Sequence, residues 1–220
     1  MLKRLSIVFV VLGFQALAYA QPDAIMDMVN SSASKLIDSV MQTINLRADI
    51  FNEEVGKVNK LRPLEAENLS KERVDANIPV IKEFLGYLEV YRAASDREKK
   101  RIQDSVTMLR SYLPKSKQKK YLKEFMNAYL LDQGAFYKYT LSLTGLYSNV
   151  LELLNFMSGA HTEIKDQKIV FTDRKELKQY EKILAKVEKQ IQKQSSASLA
   201  AQKATFKAGQ LMQKSYGKLQ

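Results

Sequence analysis

Lysine is the residue whose spacing could do chemistry here. Lys175, Lys178, Lys182, Lys186, Lys189 and Lys193 step by three or four, the interval that stacks side chains along one edge of an α-helix. At about 100° per residue, Lys203, Lys207, Lys214 and Lys218 return to the same sector. No acidic residue follows Glu188. Such a row makes a linear cationic surface for phosphate-bearing lipid, lipopolysaccharide, another polyanion or an acidic protein. The plainer reading is the solvated edge of an amphipathic helix. The row lacks interleaved arginines and aromatic side chains, which argues against nucleic acid as its partner.

A second constellation is polar where apolar residues are due. Arg47, Glu98, Lys99 and Asp132 fall in the apolar sectors of their helices, accompanied by Ser95, Gln133, Ser195 and Ser198. If the second and third helices form a hairpin about Pro114, facing residues have numbers that add to about 230. Glu98 then lies near Asp132, with Lys99 or Arg47 to neutralise them. A buried carboxylate without a partner costs several kcal/mol, so pairing is expected. The layer would fix the register of the helices, or else form a polar ligand pocket or a proton-sensitive switch.

No catalytic residue is assigned. His161 is the single histidine and sits in a loop; a nucleophile built on it would need Ser158, with no elbow motif to support one. Metal ligands at the usual spacings are absent, as are the Glu-x-x-His pattern of di-iron bundles and any glycine-rich nucleotide loop. The sequence therefore calls for no cofactor and no metal.

Four long helical stretches must position these residues. The first begins after Asp23 and runs to Arg62-Pro63, carrying Ala33, Leu36, Val40, Ile44, Phe51, Val55 and Val58 on one face. Residues 62–78 are charged and read as a connector with room for one short helix. Pro79 suits the first turn of the second helix. Ile81, Phe84, Leu88, Ile102, Val106, Leu109 and Leu113 share its phase up to Pro114, which favours one helix over a break at the Ser95/Glu98 capping pattern. The third is the hub of the chain. From Tyr121 to Met157, Leu122, Phe125, Tyr129, Phe136, Leu143, Tyr147, Val150, Leu154 and Met157 recur at three-, four- and seven-residue steps. Ser158-Gly159 ends it, and 159–173 reads as a loop in which Lys168–Phe171 is extended without a partner strand. Asp173 and Glu176 then form a capping box for the last helix, whose stripe is Leu177, Tyr180, Leu184, Val187 and Ile191, followed by Ala197, Ala201, Ala204 and Ala208. Its tail frays after Gly217. Each helix spans roughly 35 to 43 residues, or about 50–65 Å. The expected fold is all-α, an elongated antiparallel bundle of four helices. The same pattern permits a homo-oligomer that shares helices.

Residues 1–20 read as a cleaved secretory signal peptide. Lys3 and Arg4 precede an apolar run from Leu5 to Leu17 and an Ala18-Tyr19-Ala20 cleavage pattern. The remaining 21–220 fit one helical domain with no membrane span. The formal charge of +11 falls to about +9 without Lys3 and Arg4, still basic enough to favour acidic partners. There is no cysteine, so an exported chain must be held by packing alone. The expectation is a periplasmic or secreted, non-enzymatic bundle that binds anionic envelope material or an acidic protein through its lysine edge. One alternative is a periplasmic chaperone or adaptor that holds apolar clients; in general composition alone the chain is similar to periplasmic chaperones with long helical arms. Another is a ligand-binding or enzymatic bundle that uses the polar layer.

Overall fold

The computed structural model describes residues 22–113, 116–166 and 168–218. The signal-peptide reading of 1–20 lies outside the described residues. The protein is an all-α bundle of four long helices: α1 (Pro22–Asn59), α2 (Lys71–Tyr112), α3 (Ser116–Gly159) and α4 (Arg174–Tyr216). A 3-10 turn, Ala66–Leu69, lies between α1 and α2, and a two-stranded hairpin, β1 (Thr162–Lys165) and β2 (Lys168–Phe171), lies between α3 and α4. Among the described residues no helix is long and apolar enough to cross a membrane.

The chain forms two compact units, and each long helix contributes to both. The first contains Met1–Ala48, Glu98–Leu131 and Lys207–Gln220; the second contains Asp49–Arg97 and Asp132–Phe206. The first unit's core joins Ile37 and Val40 of α1, Ile102, Val106, Leu109 and Leu113 of α2, Leu122, Phe125 and Tyr129 of α3, and Ala208 and Met212 of α4. The second's core joins Phe51 and Val58, Val74, Ile81, Phe84 and Leu88, Leu143, Tyr147, Val150, Leu153, Leu154 and Met157, and Ile183 and Val187. Cross-helix hydrogen bonds fix the direction of packing in this second unit. On α2 and α3, Asp75 meets Ser158, Arg92 meets Thr144 and Ser95 meets Gln133. Their numbers add to about 230, the antiparallel register expected from the sequence.

Aromatic rings pack against one another in the second unit. Phe51 lies 4.8 Å from Phe136, edge to face, and 5.4 Å from Tyr91. Phe84 and Tyr147 meet edge to face at 5.0 Å. These are the offset arrangements that ring quadrupoles favour. Burial pushes the Tyr147 phenol up to about 12; burial, with Glu54 and Glu53 nearby, does the same to Tyr87.

Three elements differ from the sequence reading. The second helix begins at Lys71, so Pro79 lies inside it rather than in its first turn. Val74 explains why: seven residues before Ile81, it is fully buried, and the Val74 amide donates to the Ser70 carbonyl at 2.9 Å. Pro79 and Asp75 are both exposed, so water can solvate the Asp75 carbonyl that Pro79 leaves without its helical donor. Residues 159–173 are a hairpin, not a loop holding one unpaired extended piece, with Ile164 opposite Ile169 and Thr162 opposite Phe171. In α4, Leu177 and Ile191 are exposed, while Ile183, outside the expected stripe, is buried.

Pro79→Ala should raise stability by about 1–3 kcal/mol, because a helical hydrogen bond is restored at a solvent-facing position. Urea unfolding checks it. The tyrosines give a pH signature. A phenol whose pKa is raised by folding stabilises the fold fully below its unfolded value near 10 and loses that contribution as pH climbs toward 12. Stability should therefore fall over that window. Tyr147→Phe and Tyr87→Phe should each flatten the fall in thermal melts taken across it.

Candidate anion-binding edge

Helix α4 holds the lysines because its other side is used for packing. Ile183, Val187 and Ala201 face inward in the second unit, which turns Lys175, Lys178, Lys182, Lys186, Lys189, Lys193 and Lys203 to solvent. In the first unit, Ala208, Met212 and Ser215 are buried, and Lys207, Lys214 and Lys218 are exposed. Lys218 also lies over the Tyr121 ring, 5.1 Å from its centroid.

The α3–α4 contact in the second unit is tight and polar. The Gln190 amide donates to the Ser142 carbonyl at 3.2 Å, and a side chain at Gly145 would collide with Gln190. Asn149 donates to the Lys186 carbonyl at 3.3 Å. Lys186 Nζ reaches Glu152 Oε1 at 2.7 Å. Beside that pair lies an open cleft of about 410 Å³ lined by Glu152, Lys178, Gln179, Lys182, Ile183 and Lys186. Lys178 and Lys182 have no salt-bridge partner among the described residues. The cleft thus presents two uncompensated ammonium groups beside a neutralised one, a geometry suited to a phosphate, sulfate or carboxylate.

The polar residues fall as follows. Arg47's side chain lies outside the described residues. Glu98 and Lys99 belong to the first unit and are half-buried. Asp132 belongs to the second, is only 2% exposed and accepts the Thr205 hydroxyl at 2.8 Å. Gln133 is also buried there and accepts from Ser95 at 2.9 Å, so Ser95 bridges to α3 and does not cap a broken helix. Burial raises the Tyr139 phenol, and the nearby Gln194 and Ser198 side chains offset part of that rise. Periodicity alone does not single out Thr205. The signal for it was the antiparallel turn after Gly159: pairs such as Ser142 with Gln190 and Glu152 with Lys186 set the same register that brings Asp132 to Thr205.

His161 and Ser158 have separate partners. Ser158 donates to Asp75, while the His161 ring nitrogen and backbone amide both meet Glu176, at 3.1 and 3.0 Å. Glu176 therefore clasps the base of the hairpin and does not close a capping box, although Asp173 does accept the Lys175 amide at 2.8 Å. Among the described residues no group of three or more His, Asp or Glu side chains could hold a metal. No known family model matches the chain, and neither does any curated protein or solved structure.

Thr205→Val should destabilise the protein by about 1–3 kcal/mol, because it removes a donor to a buried carboxylate. Thr205→Ser keeps that donor and should lose little. Urea midpoints of the two variants decide the matter.

Proposed function

We propose that this is an exported, non-enzymatic helical-bundle protein that binds anionic envelope material or an acidic partner through the lysine edge of α4. The observation that carries the reading is the cleft beside Lys178 and Lys182, two exposed ammonium groups that have no salt-bridge partner among the described residues. The basic balance of the whole chain, 35 Lys and Arg against 24 Asp and Glu, adds a long-range attraction for anions. Export rests on the signal-like 1–20 and the cysteine-free composition, and it places such a surface beside lipid phosphates and polyanions. Lysine, a flexible point charge, suits a partner with many anionic groups more than one with a single fixed geometry.

Retention of the protein without residues 1–20 on immobilised polyphosphate should fall steeply as salt rises, since exposed charges beyond about 8–10 Å are screened at physiological ionic strength. Lys178→Glu together with Lys182→Glu should elute at clearly lower salt with an unchanged thermal midpoint. Equal elution of variant and parent would defeat the reading.

A further inference from the structure

The last third of the second unit's α4 has its side-chain sizes inverted. Ala201 is buried and Ala197 and Ala204 are half-buried, while Leu199 is 53% exposed and Phe206 70% exposed. Phe206 is the most exposed large apolar side chain among the described residues. Seven residues separate Leu199 from Phe206, two helical turns, so both lie on one face about 10 Å apart. Lys203 stands between them, four residues after the first and three before the second. Lys203 shares their side of the helix, Lys189 and Lys193 lie further round it, and no acidic residue occurs from Lys189 to Phe206. Further up the helix, Glu181 and Glu188 fall in the same sector as Leu199 and Phe206, so the acid-free strip is confined to the end of the unit. The antiparallel register sets Lys138 of α3, also exposed, level with this strip.

Resting on the anion-binding reading above, we infer that this strip lies on an anionic lipid bilayer, with Phe206 and Leu199 pressed among the headgroups and the lysines over the phosphates. The arrangement is that of an interfacial helix: apolar side chains at one depth, bordered on one side by lysine, whose long stem reaches back to the polar layer. An acidic protein fits it less well. Protein interfaces bury a contiguous centre depleted in lysine, whereas here Lys203 stands between the two large apolar side chains. The cleft at Lys178 and Lys182 lies outside the strip. With no described helix able to span a membrane, the association is with the surface.

The chain contains no tryptophan, so Phe206→Trp introduces a single reporter. With mixed phosphatidylglycerol–phosphatidylcholine vesicles, its emission should shift to the blue and be quenched by brominated acyl chains; phosphatidylcholine alone should do neither. Phe206→Ser should weaken cosedimentation with the anionic vesicles by roughly threefold or more and leave polyphosphate retention unchanged, and Phe206→Leu should restore most of the vesicle binding. Salt-dependent vesicle binding without a blue shift would overturn the insertion and leave anion binding standing. So would retention on polyphosphate or polyglutamate with no vesicle binding. Failure to bind any of the three probes would overturn both readings.

Discussion

Everything in this fold depends on burying the apolar stripe of α3. The chain has no cysteine and therefore no covalent tie between helices. Isolated helices gain little from propensity alone, and their stability in a protein comes from packing an apolar face. The third helix supplies that face to both cores: Leu122, Phe125 and Tyr129 in the first unit, and Leu143, Val150, Leu153, Leu154 and Met157 in the second, all essentially inaccessible to water. Each such side chain contributes about 1.5–3 kcal/mol, against a backbone entropy cost of about 1–2 kcal/mol for every residue ordered. The margin is small, so removing one of these contacts should weaken the other helices packed there as well.

Polar contacts then choose one alignment out of the many that an apolar stripe allows. In the second unit, Ser95–Gln133 and Arg92–Thr144 align α2 on α3, Tyr147–Asn59 at 3.0 Å aligns α1, and Asp132–Thr205 with Gln190–Ser142 aligns α4. A slip by seven residues, which keeps the same face inward, would leave Asp132 and Gln133 buried away from these partners, at a cost of about 1–3 kcal/mol for each lost contact. Asp132, buried and bonded to Thr205, is thus one of the contacts that favour this register. Gly145 acts in the same contact, since it gives Gln190 the room to reach the Ser142 carbonyl.

The sequence makes the hub, the four helices and the solvent side of the lysine row legible for one reason. Apolar periodicity over 40 residues averages out local exceptions. It misleads where a single residue outweighs the local pattern. Val74 extends α2 backward through a charged stretch and past Pro79, which no local signal predicts. The hairpin escapes notice because its turn begins at Asp166, whose φ of 47° is unusual for a residue other than glycine, and the Asn-Gly or Asp-Gly signature is missing. The fourth helix carries two apolar stripes, and periodicity alone does not say which faces inward; small polar contacts with α3 select Ile183 and Val187 over Leu177 and Ile191. The cleft beside Lys178 was illegible for a similar reason, because it needs Glu152 from another helix to define one wall.

That choice of face bears on what α4 does. A helix selected only for stability would set leucine and phenylalanine inward and alanine outward, since full burial of a large apolar side chain is worth about 1.5–3 kcal/mol. Between Ala197 and Phe206 the order is reversed. The alanines lie on the inner side, where Thr205 reaches Asp132, and Leu199 and Phe206 are left on the outer side beside Lys203. Stability accounts for the alanines; it does not account for Phe206, whose exposed ring contributes nothing to the core. Solvation accounts for the lysines, and it too leaves Phe206 unexplained, because a polar side chain there would be better hydrated. The proposed bilayer, which brings its own apolar phase and its own negative charge, would account for the lysines and the ring together.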